Sequence, residues 1–169
     1  MCIKNKDFLG DKNKKEEKKL YNSTKVYKGD CVGSVLALTT ALCAGFISGA
    51  IASDNVEGAR MATEYMVSLL GEDAELEGVS GASATIERGK GFHLVADEKL
   101  DVVSKQTANF NRSEGMSVME NMLQANSGIQ GVFAHNDEMA LGAVEAVGNK
   151  KILVVGFDAT DDAVVAVKA

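Results

Sequence analysis

Residues 131–143 read GVFAHNDEMALGA, and this stretch decides the fold. A short apolar run, 132–134, gives way at once to four polar residues, 135–138. Apolar residues then return with the three-and-four spacing of an amphipathic helix. The stretch therefore predicts a buried strand that leads through a very short connection into a helix. Units of this kind build parallel sheets.

The same pattern recurs on both sides of this stretch. The predicted strands lie near residues 76–79, 100–105, 129–134 and 152–155. The predicted helices begin near 54, after the turn 81–83, at 111 or 113, at 137 and at 161. The first of these ends at Gly71, and the second carries Ile86, Phe92 and Val95 as apolar positions. Repeated strand-then-helix units imply an α/β fold, a doubly wound parallel sheet covered by helices on both faces.

Composition and charge limit the classes of function. The 169 residues are 46% apolar and 25% charged, which is typical of a globular protein. Residues 1–31 hold nine of the 18 basic residues and only five of the 24 acidic ones, so the remainder of the chain is strongly acidic. Nucleic-acid binding needs clustered basic residues. We therefore predict no nucleic-acid partner.

Three regions differ in composition. Residues 1–31 are rich in Lys and lack apolar periodicity, which predicts a disordered tail. Residues 32–52 contain no charged residue, follow a basic stretch and end in small residues, as an export signal does. That segment is also long enough to span a bilayer, so an uncleaved anchor and a buried helix remain alternatives. Residues 53–169 form the predicted α/β lobe.

Signatures of enzymes, metal sites and cofactor sites are missing. The chain has no phosphate-binding loop, no dinucleotide-binding glycine motif and no nucleophile elbow. Its three cysteines lie within residues 1–43 at spacings that suit no metal, and its two histidines lack suitably spaced partners. We therefore predict a protein that is not an enzyme and that holds neither a metal ion nor a cofactor.

Candidate binding residues follow the predicted strands. Ligands of open parallel sheets bind outside the carboxyl ends of the strands, and Phe110, Asn136 and Asp158 occupy such positions, with Arg88 one turn into a helix. Planar polar groups can hydrogen-bond adjacent hydroxyls, while an aromatic face packs on the C–H side of a sugar ring. The set predicts a site for a polyhydroxylated ligand.

Each candidate also has a purely structural interpretation. Asn136 is well placed to cap a helix, and Asp158 suits a turn or a helix start. Phe110 suits a core position, and Arg88 suits a surface ion pair of little energetic value. The sequence alone leaves these alternatives open.

Five blocks resemble, in order and spacing, the periplasmic ribose-binding proteins, which serve ABC importers and have the type I periplasmic-binding fold. The blocks cover much of residues 51–169, and they read IASDNVEGARMA (51–62), GASATIERGKGF (81–92), ANFNRSEGMSVMENML (108–123), VFAHNDEMALGAVEAV (132–147) and ILVVGFDATDDAVVAV (152–167). The resemblance implies one Rossmann-like lobe that binds ribose or a related pentose or hexose. It also implies export to the periplasm or cell envelope and a membrane permease as partner.

The resemblance gives each candidate a role. Arg88 resembles the arginine that pairs with sugar hydroxyls, and Phe110 resembles the aromatic residue that packs on the sugar ring. Asn136 resembles the polar residue that begins the NDEMAL helix, and Asp158 resembles the carboxylate of the GFD turn. All four residues belong to one lobe, whereas members of this family enclose the sugar between two lobes.

From this resemblance we expect the family's amino-terminal lobe, and the segments that complete both lobes, to be missing from these 169 residues. We therefore expect a truncated copy in which this incomplete lobe binds sugar weakly or not at all on its own. Two alternatives stay open. One is the sugar-sensing lobe of a regulator of the lactose-repressor type, and the other is a membrane-anchored interaction module.

Overall fold

The computed structural model describes residues 2–3, 53–68 and 72–168. The apolar segment 32–52 and nearly all of the predicted tail 1–31 lie outside these residues, as do Leu69, Leu70 and Gly71 at the predicted end of the first helix. The described strands are β1 Cys2–Ile3, β2 Glu72–Glu77, β3 Asp101–Thr107, β4 Gly131–Ala134 and β5 Leu153–Val155. The described helices are α1 Asn55–Val67, α2 Ser83–Lys99, α3 Arg112–Ala125, α4 Asp137–Val147 and α5 Asp161–Lys168.

The strands form one sheet in the order β1-β5-β4-β2-β3. The pairs β2–β3, β2–β4 and β4–β5 are parallel, and β1 lies antiparallel to β5 at the edge. The chain passes from β2 outward to β3, and then returns to the other side of β2 for β4 and β5. This reversal creates a crevice at the carboxyl ends of β2 and β4, which is where ligands of open α/β sheets bind.

Helices cover both faces of the sheet, which confirms the predicted α/β class. On one face, Phe133, Leu153 and Val155 pack against α1 and α2. On the other, Val132 and Val154 pack with residues of α3 and α4. All residues of β4 and β5 are buried, because the faces of a central parallel strand are both covered.

Local sequence signals account for the helix starts. Asn136 Oδ1 accepts a hydrogen bond from Met139 N at 3.0 Å, and Asn111 Oδ1 accepts one from Glu114 N at 3.0 Å. These are ordinary N-cap contacts, and α4 and α5 have the predicted starts. The predicted helix through Ile86, Phe92 and Val95 is present. Ile86 is 60% exposed while Phe92 is fully buried, because six residues along a helix turn the side chain away from the core-facing side.

Glycines allow the helices to pack closely on each other. A Cβ at Gly91 of α2 would lie 2.2 Å from the carbonyl oxygen of Val56 in α1. A Cβ at Gly142 of α4 would lie 2.1 Å from the carbonyl oxygen of Arg112 in α3. Within the described part of the chain, no helix has the length and apolar character needed to cross a membrane.

Candidate functional site

The four candidates lie along the carboxyl edge of the sheet. Phe110 follows β3, Asn136 follows β4, Asp158 follows β5, and Arg88 lies in the second turn of α2, after β2. Because parallel strands end at a common edge, residues that are distant in sequence come together there. Direct contacts join Arg88 to Asp158 and Asn136 to Phe110.

Arg88 is fixed by three oxygen acceptors from three different parts of the fold. Its Nε donates to Asn55 Oδ1 at 3.0 Å, its Nη1 to the carbonyl oxygen of His135, and its Nη2 to Asp158 Oδ1 at 2.7 Å. The guanidinium carbon lies 4.0 Å above the ring centre of Phe157. The Arg88 side chain is 11% exposed, so the surface ion pair suggested by the sequence is in fact a nearly buried anchor.

Asp158 is the more accessible partner of this ion pair. Its side chain is 39% exposed, so the carboxylate reaches solvent at the edge of the sheet. The backbone has φ +105° at Asp158 and +63° at Ala159. Residues other than glycine rarely adopt such angles, and each costs free energy unless the surroundings enforce it.

Asp137 holds this strained turn in place. Its Oδ2 accepts hydrogen bonds from the Thr160 backbone N at 2.7 Å and from the Thr160 hydroxyl at 3.2 Å. Asp137 is fully buried, and its Oδ1 has no hydrogen-bond partner among the described residues. Burial raises the pKa of Asp137, and the hydrogen bonds from Thr160 act in the opposite direction. The sequence indicated only that Asp137 begins a helix. Its hydrogen bonds with Thr160 in the turn were not predicted.

Asn136 caps a helix and also reaches the ligand edge. Its Oδ1 is engaged with Met139 N, as the capping interpretation predicted. Its Nδ2 donates to the carbonyl oxygen of Phe110 at 3.4 Å. The amide group therefore ties the end of β4 to the loop after β3, and a sugar contact by Asn136 stays a prediction.

Phe110 lies partly in the core and partly at the edge. It packs against the core cluster under α3 and α4 but remains partly exposed. Asn109 and Phe110 have φ +50° and +58°, so the loop turns sharply before α3. The ring rests on Gly78, where a Cβ would lie 2.0 Å from Phe110 Cζ. Only a glycine at position 78 leaves room for the ring in this position.

A groove of about 390 Å³ lies beside this edge, between α2 and the ends of β2 and β3. It is lined mainly by polar and charged residues, including Ser80, Thr85, Lys90, His93 and Lys105. None of the four candidates lines the groove. This groove is therefore distinct from the four candidates. Among the described residues, no group of three or more His, Cys, Asp or Glu side chains is arranged to hold a metal ion.

Sequence reasoning missed several residues at this edge. Asn55 bonds Arg88 and also donates to Glu87 Oε2 at 2.7 Å, and Phe157 lies beneath the guanidinium. The buried pair of Glu75 and His135 lies directly behind Arg88. Phe157 adjoins Asp158 in the sequence and could have been suspected. The other contacts join residues far apart in the chain, and no local pattern indicates them.

Comparison with known proteins identifies the family. The family described as a periplasmic binding protein domain matches residues 45–169, a match that begins within the predicted apolar segment. The ribose import binding protein of Bacillus subtilis is 51% identical over 152 residues, covering 86% of this chain and 50% of the relative. The ribose import binding protein of Escherichia coli is 45% identical over 135 residues, covering 76% of this chain and 46% of the relative.

Solved structures agree with this. An ABC transporter solute binding protein of Bacillus halodurans with bound myo-inositol has a TM-score of 0.65 and 39% identity, covering 68% of this chain and 43% of that one. An ABC transporter solute binding protein of Actinobacillus succinogenes with bound D-allose has a TM-score of 0.64 and 35% identity, and the match covers 68% of this chain and 44% of that one. The chain spans about half the length of the curated relatives it matches.

Proposed function

The chain belongs to the periplasmic binding protein family, and from this premise we propose that it carries one side of a monosaccharide site in the substrate-binding component of a ribose-type ABC importer. The observation that carries the proposal is the Arg88–Asp158 pair. A cation and an anion are fixed 2.7 Å apart at the crevice where the order of the strands reverses. Such a pair offers both donors and acceptors to adjacent hydroxyls.

The chemistry of this edge suits a sugar. Guanidinium N–H groups donate to hydroxyl oxygens, and a carboxylate accepts from hydroxyl hydrogens. The partly exposed Phe110 ring offers an apolar face to the C–H side of the sugar ring. Because Arg88 is already held by Asn55, His135 and Asp158, little side-chain entropy is lost when the ligand binds.

The relatives support the ligand class. Two of them are named ribose import binding proteins, and two related structures contain myo-inositol or D-allose. All three molecules are compact and polyhydroxylated. We place ribose first and related pentoses and hexoses second.

Transport defines the partner and the location that we propose. The matched relatives are transport proteins rather than enzymes, so the sugar would be released chemically unchanged. The partner is the membrane permease of the importer, and the site of action is the periplasm or cell envelope. Fractionation of cells that produce the chain tests this location, because a purely cytoplasmic product contradicts it.

A ribose titration followed by NMR tests the proposed site directly. Uniformly ¹⁵N-labelled chain is titrated with D-ribose to tens of millimolar, and the three arginine Nε–H signals are followed, since the sequence contains only Arg60, Arg88 and Arg112. We expect saturable shifts at the Nε–H of Arg88 and the side-chain amide of Asn136. Absence of saturable shifts at both positions contradicts the proposal.

Matched variants separate a binding role from a general effect of losing an arginine. Arg88→Lys should abolish the response, because a lysine cannot reproduce three directed contacts. Arg60→Lys is the control, because among the described residues Arg60 pairs only with Glu57 and Glu64 of its own helix. A ribose response that survives Arg88→Lys argues against the assigned role of Arg88.

A further inference from the structure

The first turn of α1 lies directly against Arg88. Asn55 Oδ1 accepts a hydrogen bond from Arg88 Nε at 3.0 Å, although the two residues are 33 positions apart in the sequence. Nε is the guanidinium nitrogen nearest the aliphatic stem of the side chain, and its single N–H lies in the plane of the group. An acceptor at this position therefore fixes how the guanidinium plane is rotated at the end of the side chain.

The amide of Asn55 is itself oriented by a second contact. Its Nδ2 donates to Glu87 Oε2 at 2.7 Å, so the two ends of the amide have different partners. An ionised carboxylate can only accept a hydrogen bond, and a guanidinium can only donate one. Only one of the two amide orientations satisfies both partners, and it is the one that directs Oδ1 at Arg88.

The same turn of α1 also supports one face of the guanidinium. The Phe157 ring lies beneath Arg88, with 4.0 Å between the ring centre and the guanidinium carbon. A Cβ at Gly58 would lie 2.8 Å from Phe157 Cζ and 3.0 Å from Phe157 Cε2, so the ring rests on Gly58. Asn55 and Gly58 are three residues apart and share one side of the helix. This side of α1 therefore holds Arg88 at its edge and, through Phe157, on one face.

The contact at Nε leaves the far end of the guanidinium for other partners. Within the described part of the chain, the hydrogen bonds of Arg88 use one N–H on each of its three nitrogens, with Nη1 directed at the His135 carbonyl oxygen and Nη2 at Asp158. A guanidinium has five N–H groups, so one on Nη1 and one on Nη2 remain. Because Asn55 bonds Nε, it orients the plane that contains both remaining groups.

We propose that Asn55 is a positioning residue of the sugar site, which sets the plane of the Arg88 guanidinium so that the remaining N–H groups on Nη1 and Nη2 are presented to the ligand. The effect on sugar rests on the proposed function. The effect on the guanidinium does not require it and is measurable without sugar.

Sugar-free NMR of the 169-residue chain tests the orientation of Arg88. In Asn55→Ala we expect the Arg88 Nε–H signal to shift and to exchange with water about fivefold faster, the equivalent of one ordinary hydrogen bond. The Nε–H signals of Arg60 and Arg112 serve as internal references and should stay in place. An Arg88 Nε–H that keeps both its position and its exchange rate in Asn55→Ala overturns the proposal.

Two further variants distinguish positioning from a general loss of an asparagine. Asn55→Asp keeps an acceptor for Arg88 Nε and should keep the slow exchange of the wild-type chain. Asn121→Ala removes an exposed asparagine of α3 and should leave Arg88 unaffected. Fast exchange at Arg88 in either variant contradicts the assignment.

Glu87→Ala keeps the test decisive if Asn55→Ala fails to fold. Glu87 is exposed, and its removal leaves Asn55 in place without the partner that orients the amide. We expect exchange at Arg88 Nε–H to become faster in this variant as well. An unchanged exchange rate in Glu87→Ala would equally contradict the proposal.

Ribose titrations then test the effect on binding. We expect Asn55→Ala to bind ribose about fivefold more weakly than the wild-type chain, by the same loss of one hydrogen bond, and Asn121→Ala to keep the wild-type Kd. An unchanged Kd in Asn55→Ala would contradict coupling to the ligand. If the wild-type chain gives no response to ribose while the Arg88 Nε–H still responds to Asn55→Ala, the proposed function fails and the positioning of Arg88 stands.

Discussion

Gly78 supports the Phe110 ring, and Gly78→Ala tests this directly. The new Cβ would lie 2.0 Å from Phe110 Cζ, 2.1 Å from Phe110 Cε1 and 2.5 Å from Thr85 Oγ1. The two distances to Phe110 are far shorter than an ordinary carbon–carbon contact of about 3.5–4.0 Å, and the distance to Thr85 Oγ1 is also shorter than any ordinary contact. The ring must therefore move by more than an ångström, and the hydrogen bond from Thr85 Oγ1 to the Val79 carbonyl oxygen, 2.8 Å, is disturbed as well.

The expected cost of Gly78→Ala is that of overpacking, about 1–3 kcal/mol of the free energy of unfolding. Urea unfolding followed by circular dichroism measures it. Gly81→Ala is the matched control, since Gly81 has φ +81° and nothing within 4 Å of the added Cβ. Its expected cost is about 1–2 kcal/mol, from backbone conformation alone.

The ring signals of Phe110 distinguish the two variants. We expect them to shift in Gly78→Ala and to stay in place in Gly81→Ala. The double variant Gly78→Ala/Phe110→Ala should show a favourable coupling energy, because the clash disappears with the ring. Unshifted Phe110 signals in Gly78→Ala, or additive effects in the double variant, would refute the argument that Gly78 is required by Phe110.

Three further predictions follow from the same structure. Phe133→Ala should lower the free energy of unfolding, measured with urea, by about 3–5 kcal/mol, because the ring is fully buried and stacks on Phe92 with 4.9 Å between ring centres. The control is Val165→Ala. Because Val165 is 66% exposed, this variant should lower the free energy of unfolding by less than about 0.5 kcal/mol. Burial raises the pKa of Glu75, but hydrogen bonding to His135 and nearby cationic groups lower it below the ordinary 4.5. The ionised Glu75 therefore stabilises the fold above pH 4.5, and this stabilisation is lost as pH falls through the lowered pKa. Between pH 5 and pH 3, the melting temperature of Glu75→Gln should therefore vary less than that of the wild-type chain. Isothermal titration of the 169-residue chain with ribose should show weaker than micromolar affinity, and a Kd of 1 μM or below contradicts this expectation.

The fold was predictable because its signals are local. The cap at Asn136 and the apolar spacing after it predict that α4 begins at residue 137, and the structure has it at Asp137–Val147. The short buried strands β4 and β5 were recognisable as apolar runs between polar turns. The exposure of Ile86 was not predicted, because a single apolar residue in a helix does not indicate which side of the helix it occupies. Its 60% exposure follows from its angular distance from Phe92.

The position of the four candidates at one sheet edge was predictable, but the contacts between them were not; their role in binding stays a prediction. The rule that ligands bind at the carboxyl ends of parallel strands placed Arg88, Phe110, Asn136 and Asp158 at one edge, where the structure also has them. The partner of Arg88 on α1, Asn55, is 33 residues away, and Glu75 and His135 are 60 residues apart. Contacts between residues so far apart in the sequence depend on which strands are neighbours in the sheet. No local sequence pattern predicts that strand order.

The contacts of Arg88 tie the proposed binding edge to three separate parts of the fold. Its acceptors come from α1, from the end of β4 and from the turn after β5. That turn has positive φ angles at Asp158 and Ala159, and the buried Asp137 accepts two hydrogen bonds from Thr160 directly after it. In the proposed site, a substitution that loosens one of these elements displaces the Arg88 donors even if the substituted residue itself does not contact the ligand. Losses of sugar affinity should therefore extend to residues such as Asn55 and Asp137, and they should be read as losses of preorganisation rather than of direct contact.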